Sequence, residues 1–385
     1  MSMGISRTIE NIMKSPLVLR LKEVHHRWTY KKTYEKMALA MSRYERCRDK
    51  KPSTQIRQEI RLCKSFWKCY PLHYFRYNLY RKDRHLSKQE LINYIPEFFF
   101  YNLFLAHYAS KKHEILISDK IVSEAIFRSY EIAQPRTIGK IINNRLYAAS
   151  LEEMNFKQLE KIANDCRSHR LFIKPSDGEG GYGIYIFHRG RRGQYLHDGQ
   201  MPLDETFLAR IDPKRNFIIQ CGLEQDAELS RIYPRAVNTF RILTENRGTE
   251  TVVLCSTLRI GRGGNEVDNS AQNNIVLKVD VETGLIGHLG TTELGETFER
   301  HPDTKFLFRG CVFSRWKRIK EFAVESAQKL RPFTYLAWDI ALTPSGPVAI
   351  EANVNFGLDH YQVALGGIRE IFRIDHPDYY WKNAG

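Results

Sequence analysis

The chain has 385 residues, 42% of them hydrophobic and 27% charged, an ordinary balance for a globular protein that excludes a wholly disordered, collagen-like or coiled-coil chain. Its formal charge is +15, and residues 1–115 hold 24 Lys/Arg against 10 Asp/Glu while the other 270 residues hold 35 against 34. The basic character therefore belongs to the N-terminal third, and the rest is as balanced as the core of a small-molecule enzyme.

The segment from Met1 to Arg20 sets Arg7, Glu10 and Lys14 around the short apolar run Leu17-Val18-Leu19, which does not read as an export signal. From about Lys31 to Tyr80 the pattern is helical, basic and aromatic. Ile56, Ile60, Cys63, Trp67 and Tyr70 recur every three or four positions on one helix face, and Arg57, Arg61, Lys64 and Lys68 line another. Ser53 or Thr54 is placed to cap that helix and Pro71 to end it. Ser87 with Glu90 three residues on predicts a capping box. The apolar stretch Leu91 to Ala109 contains Pro96 and Glu97, and its uncharged part, Phe98 to Ser110, has 13 residues. That is short of the roughly 18–20 needed to span a membrane, so it predicts a buried or interfacial helix. The seven cysteines (47, 63, 69, 166, 221, 255 and 311) form no Cys-x-x-Cys pair and are read as reduced thiols of a cytoplasmic protein.

After about Ile115 strands and glycine turns take over. Leu171–Pro175, Gly183–Phe187 and Phe217–Gln220 read as short strands. Thr239–Thr244 and Thr251–Ile260 flank a hairpin turn at Glu245-Asn246-Arg247-Gly248, and Ile275–Val281 is a further strand. Arg315–Leu330 is a helix, followed by a hairpin of Tyr335–Leu342 and Pro347–Glu351. The prediction is mixed α+β, mostly antiparallel.

Three groups of residues carry chemistry. In Leu171-Phe172-Ile173-Lys174-Pro175 and Asp177-Gly178-Glu179-Gly180-Gly181-Tyr182-Gly183, four glycines in six positions let the backbone approach a ligand and offer N–H groups to phosphate oxygens. Lys174 adds a point charge. A plain glycine turn beside a surface lysine is the alternative. Asp339 and, across the hairpin, Glu351 and Asn353 offer hard oxygens suited to Mg²⁺, or else form a structural salt bridge. Arg241 and Arg259 stand inside apolar strands, where a guanidinium needs an anion, unless both lie on an exposed edge.

The order of these signals resembles the ATP-grasp superfamily from about Ser118 to Gln362. More narrowly it resembles the sugar-transfer-associated ATP-grasp family, related to α-L-glutamate ligase-like proteins. The motifs are Asn93-Tyr94-Ile95-Pro96-Glu97, Ser118-Asp119-Lys120, Phe172-Ile173-Lys174-Pro175 with its glycine loop, Val237-Asn238-Thr239-Phe240-Arg241, Arg259-Ile260-Gly261, Val267-Asp268-Asn269, Trp338-Asp339-Ile340 and Ile350-Glu351-Ala352-Asn353. The resemblance implies an ATP-grasp fold, two α+β lobes clasping a nucleotide. Residues 116–222 would form the lobe with the glycine loop, residues 223–385 the lobe with the metal and phosphate site, and residues 1–115 a basic, helix-rich region ahead of both. The family's usual N-terminal α/β domain is not recognisable in 1–115.

Residue by residue, the resemblance puts Lys120 and Lys174 at the phosphates and adenine of ATP, and Gly178, Glu179, Gly180, Gly181 and Gly183 over the β- and γ-phosphates. Gln220-Cys221-Gly222 would be the adenine hinge, with Gln where many relatives have Glu, and Glu228 (or Gln225) would hold the ribose hydroxyls. Arg241 and Arg259 would bind the γ-phosphate and an acyl phosphate; Asn238, Asp268 and Asn269 would face the substrate. Asp339, Glu351 and Asn353 would hold two Mg²⁺, with Mn²⁺ a substitute. No nucleophilic Ser or Cys is required, and the thirteen histidines, His25-His26 included, are read as structural or surface residues.

The implied activity is an ATP-dependent carboxylate–amine ligase working through an acyl phosphate, with a small-molecule acid and amine as partners, in polysaccharide or natural-product assembly. An ATP-grasp kinase acting on a hydroxyl is the alternative enzyme, and a nucleotide-regulated protein binding an anionic partner the alternative of another class. Residues 1–115, with Trp28, Tyr30, Tyr34, Phe66, Trp67, Tyr70, Tyr74, Phe75 and Tyr77, leave open stacking on nucleic-acid bases, contact with the inner face of an anionic membrane, or a scaffold layer. No recognised nucleic-acid motif supports the first.

Overall fold

The computed structural model describes residues 15–108, 111–178, 180–269 and 272–383. They fall into two compact units: residues up to 108 with 293–296 and 357–383, and residues 111–292 with 297–356. No helix among the described residues is long and apolar enough to cross a membrane.

The first unit is helical. Helix α1 (Pro16–Thr33) is capped by Ser15 and begins with Pro at its first turn, where the missing N–H costs nothing. It is followed by α2 (Glu35–Arg46) and α3 (Ser53–Trp67). The residue before α3 is Pro52, extended and without a side-chain cap bond, so neither Ser53 nor Thr54 caps the helix; the extended backbone that a cap requires falls on the proline. The expected Ser87–Glu90 capping box is present. The apolar stretch 97–108 folds as short helical turns, including one π-helical turn at Phe100–Phe104, and buries Phe98, Phe99, Phe100, Leu103, Phe104 and Leu105. The C-terminal helices Leu358–Leu365 and Pro377–Lys382 belong to this unit, and the Trp381 indole donates to the Trp67 carbonyl at 2.9 Å. Asp359 is buried and accepts from Tyr34 Oη (3.0 Å), Tyr77 Oη (3.0 Å) and Arg76 Nη2 (3.2 Å). The other arm of Arg76 donates to the Glu293 carbonyl at 2.7 Å, tying 293–296 to these helices.

The second unit holds two seven-stranded sheets. Strands β1 (Thr137–Ile142), β2 (Arg145–Ala148), β3 (Arg170–Pro175), β4 (Tyr185–Arg189), β5 (Tyr195–His197), β6 (Met201–Pro202) and β7 (Phe217–Cys221) form the first, in the order β2-β1-β7-β3-β4-β5-β6. Strands β8 (Thr239–Arg247), β9 (Glu250–Ile260), β10 (Ile275–Val279), β11 (Gly290–Thr291), β12 (Thr297–Phe298), β13 (Tyr335–Thr343) and β14 (Gly346–Asn353) form the second, in the order β12-β11-β10-β9-β8-β13-β14. Every described strand pairing is antiparallel, so the α+β expectation is borne out. Both expected hairpins form, but the first turns at 248–249 and not at 245–248, because β8 stays paired through Arg247, and the second turns at 344–345.

Each sheet buries one face under a helix. The amphipathic helix Phe156–Ala163 sets Leu159 and Ala163 against Ile141, Leu171, Phe187 and Ile219. Helix Trp316–Lys329 sets Trp316, Ile319, Ala323 and Ala327 against Phe240, Ile242, Leu258 and Ile340. Because strand side chains alternate, the opposite faces present Phe172 and Lys174 from the first sheet and Thr239, Arg241, Arg259 and Asp339 from the second. One expectation is corrected here. Cys166 and Cys221 form a disulfide with Cα atoms 5.7 Å apart, close enough to pair; the five other cysteines are free thiols.

Candidate functional site

Those faces line a cavity of about 910 Å³ within the second unit, its open mouth included. Strand β3 shows why the sequence folds to supply it: Leu171, Ile173 and Pro175 point into the core, leaving Phe172 and Lys174 on the other side. Lys174 Nζ donates to Gln220 Oε1 at 3.1 Å. Burial, reinforced by the charge of Lys120, pulls the Lys174 ammonium down to about 8, although Glu351, Asp268 and Asp339 pull the other way. Lys120 opens the helix Lys120–Ser129 behind its Asp119 cap, and its ammonium donates to the Gly178 carbonyl. The loop that follows β3 turns with φ of +75° at Gly181 and +72° at Gly183, conformations that favour glycine. A Cβ at Gly181 would also sit 3.2 Å from Gln272 Nε2 and 3.5 Å from Asn269.

Across the cavity, register does the positioning. Thr239 pairs with Arg259, Arg241 with Asp339, and Asp339 with Glu351, so the charged side chains share one face of four adjacent strands. Asp339 is 1% exposed and is held by Arg259 Nη2 at 2.8 Å and Arg241 Nη2 at 3.0 Å. Arg241 reaches Glu351 only at 4.0 Å, and the Glu351 side chain keeps 32% exposure. Asn353 Nδ2 donates to Glu351 Oε1 at 3.2 Å. Burial and the charge of Glu351 push the Asp339 carboxyl up to about 7 against the two guanidinia. Burial also works to raise Glu351, but Lys120, the bond with Asp339 and the guanidinia hold it well below the usual carboxylate range. Two carboxylates so close cannot both ionise freely.

A β-bulge between β13 and β14 falls at this point: Asp339 pairs with Glu351 but Ile340 with Ala349, leaving Ile350 as the extra residue. Ile350 and Glu351 therefore both line the cavity.

Of the residues singled out in the sequence, Lys120, Lys174, Gly178, Gly180, Gly181, Gln220, Cys221, Gly222, Arg259, Asp268, Asn269, Asp339 and Glu351 meet around this cavity. Glu179 lies outside the described residues. Gly183 packs beside Pro175, and Arg241 and Asn353 stand behind the lining, bonded to its carboxylates. Two expectations do not hold as placements. Asn238 is fully buried: Nδ2 donates to the Tyr233 carbonyl (2.8 Å) and to Gln225 Oε1 (2.8 Å), and Oδ1 accepts from Gly261 N at 3.1 Å. Glu228 lies away from the lining, and its carboxylate accepts from Ser314 N at 3.2 Å; Gln225, the second candidate for the ribose, is consumed by Asn238 and Tyr233. These side chains satisfy backbone groups of loops. Asp268 does reach the site, accepting from Thr239 Oγ1 and standing 3.5 Å from Arg259 Nε.

Phe172, Val267 and Ile350, quoted in the sequence motifs without a role, and Leu223, which no motif includes, also line the cavity. Phe172 was signalled by its spacing of two from Lys174; Ile350 was hidden by the bulge. The arrangement suits a ligand with a flat apolar part against Phe172, Leu223 and Val267 and an anionic part among Lys120, Lys174 and Arg259. Asp339, Glu351 and Asn353 supply hard oxygens for a divalent cation.

Comparison with known proteins bears on the same residues. No match was found among curated proteins. Among solved structures the chain is similar to the biotin carboxylase domain of 2-oxoglutarate carboxylase from Hydrogenobacter thermophilus, at 12% identity and a TM-score of 0.38, covering 70% of this chain and 45% of that one. It is also similar to D-alanine–D-alanine ligase from Bacillus anthracis (13% identity, TM-score 0.38, 70% of each chain). L-amino acid ligase from Bacillus licheniformis matches at 12% identity and a TM-score of 0.36, over 66% of this chain and 44% of that one. The chain thus spans less than half the length of the first and third. The sugar-transfer associated ATP-grasp family matches residues 101–370, which take in both sheets, the glycine loop and every residue of the cavity. With 270 of its 385 residues matched, the chain belongs to the sugar-transfer associated ATP-grasp family.

Proposed function

We propose that this protein is an ATP-dependent ligase that joins a carboxylate to an amine through an acyl phosphate. The observation that carries the reading is the division of one cavity into a lysine and glycine-loop side and a guanidinium and carboxylate side. A carboxylate is a poor electrophile. Attack of its oxygen on the γ-phosphorus of ATP breaks the bond to the β-phosphate oxygen, releases ADP and gives an acyl phosphate. The amine nitrogen then attacks the carbonyl carbon, loses its proton, and expels phosphate.

Lys120 and Lys174 are the charges that hold the nucleotide phosphates, and Gly178, Gly180, Gly181 and Gly183 offer their backbone N–H groups above them. Gln220, Cys221 and Gly222 line the purine side, where Phe172, Leu223 and Val267 supply apolar contact. Arg259 lines the cavity and carries the charge that meets the transferring phosphoryl group. Arg241 acts through Asp339: it holds that carboxylate in place and is a positioning residue. Glu351 and Asp339, with the amide oxygen of Asn353, fit the demands of Mg²⁺, which would neutralise phosphate oxygens as their charge develops. Asp268 and Asn269, on the loop that meets the glycine loop, face the acceptor. The acid and amine are small molecules of polysaccharide or natural-product assembly.

The test is ADP release from MgATP with pooled carboxylates and amines, Glu351→Gln as control and products read by mass. The reading expects ADP together with a product lighter by one water than the two substrates combined. ADP with a phosphorylated hydroxyl compound would replace ligase by kinase.

A further inference from the structure

Helix α1 packs one face into the first unit and keeps another largely exposed to solvent. Leu19 is 4% exposed, and the His26 ring stacks on Tyr30 at 4.4 Å, Tyr30 in turn on Tyr34 at 4.6 Å. On the opposite face Leu17, Leu21, Val24 and Trp28 are 71%, 61%, 61% and 66% exposed. Their spacing of four, three and four places all four within one narrow stripe that runs about 16 Å along the helix. Four large apolar side chains in line on a solvent face form an interaction site.

The charges beside the stripe say what meets it. Within α1 five Lys/Arg stand against one acid, and the acid, Glu23, is turned away and accepts from Tyr70 N at 2.9 Å. Arg20, Arg27 and Lys31 flank the stripe along one edge, with the Arg20 guanidinium 4.2 Å from the Trp381 ring and the Arg27 guanidinium 3.9 Å from the Tyr70 ring. Both guanidinia are held on rings of the first unit, and Arg20 also donates to the Lys68 carbonyl, so the two charges are fixed along that edge of the helix. Of the rings that stacked bases would need, Trp67, Tyr74, Phe75 and Tyr77 are buried and Tyr70 is covered by Arg27, which leaves no run of exposed rings for successive bases. A second copy packed antiparallel on the stripe would bring the two rows of cations to the same side of the seam. An apolar ridge edged by cations, with an indole at one end, is matched by an anionic phospholipid surface, which accepts the apolar side chains between headgroups and the cations among phosphates.

We propose that the Leu17–Leu21–Val24–Trp28 face of α1 docks the protein on an anionic bilayer, lying in the interface without crossing it. The test is co-sedimentation of the full chain with vesicles of phosphatidylserine mixed into phosphatidylcholine, and with phosphatidylcholine alone. Leu21→Glu/Val24→Glu is the variant, both positions being exposed enough to leave the fold intact, as circular dichroism would check. The proposal expects wild-type binding to the anionic vesicles that raised salt weakens, weaker binding to phosphatidylcholine alone, and at least an approximately tenfold loss in the double variant. Undiminished binding by the variant, no binding by the wild type, or a dimer in light scattering that the variant dissolves would each overturn it.

Discussion

Asp339 and Glu351 are cross-strand partners, and neutralising each predicts opposite consequences for the fold. At pH about 8, Asp339→Asn leaves two buried guanidinia without the carboxylate that both contact at 2.8–3.0 Å. Removing one member of such a buried group costs about 3–5 kcal/mol. Glu351 is one-third exposed and 4.0 Å from its nearest guanidinium nitrogen; solvent there screens the charges of Lys120 and the guanidinia that hold its carboxyl low, so their contribution to the fold is under about 1 kcal/mol. Urea unfolding at that pH reads the difference. With a slope near 3 kcal/mol per molar, Asp339→Asn lowers the midpoint by about 1 M or more and Glu351→Gln moves it by less than about 0.3 M. Both variants lose Mg²⁺-dependent turnover. If Asp339→Asn kept the wild-type midpoint, or Glu351→Gln fell as far, the division between a held carboxylate and a working one would be refuted.

Lys174→Ala weakens ATP binding by tenfold or more in titration calorimetry, a charge-assisted contact being worth about 1.5–3 kcal/mol; because burial already disfavours that ammonium, the apo variant melts no lower than wild type. In the first unit, burial pushes the His73 imidazole down to about 3, so between about 6.5 and 3 the unfolded chain binds the extra proton and stability falls as pH falls, by at most about 1.4 kcal/mol per pH unit. His73→Leu flattens that acid limb in melting curves. Glu97 has the opposite sign: burial and the charge of Asp359 raise it to about 8, so the folded state holds the extra proton and stability is lost as pH rises from about 4.5 to 8. Glu97→Gln recovers it at pH 8, and an unchanged melting temperature there would contradict the assignment. Reducing the Cys166–Cys221 bond, which closes 55 residues, costs up to about 4 kcal/mol, seen as a lower urea midpoint in excess dithiol.

Much of the second sheet was legible because strand periodicity carries chemistry with it. Arg241, Arg259, Asp339 and Glu351 sit at strand positions flanked by apolar residues, and the observed register sets Arg241 opposite Asp339 and Asp339 opposite Glu351 on one face. Asp339 forms the salt bridge, paired with Arg241 and Arg259, and also lines the cavity. What failed was assignment of polar residues in loops. Asn238 and Glu228 carry the right functional groups, but each is spent on backbone N–H or C=O groups of neighbouring loops, a demand that only the folded chain reveals. Ile350 was concealed by a one-residue bulge, which breaks the alternation on which strand reasoning rests. The disulfide joins positions 55 apart, a pairing that spacing does not encode. The knot of Arg76, Asp359 and residue 293 links three distant stretches through contacts that leave no local pattern.

Activation of an acid as its acyl phosphate is the step on which the proposed ligase chemistry turns. Once the acid is identified by mass, supplying it with heavy oxygen in its carboxylate tests that step directly. The account predicts that each turnover carries one heavy oxygen into the released phosphate, with the other retained in the amide. Phosphate without label, accompanied by transfer of the phosphoryl group to a hydroxyl, would contradict it.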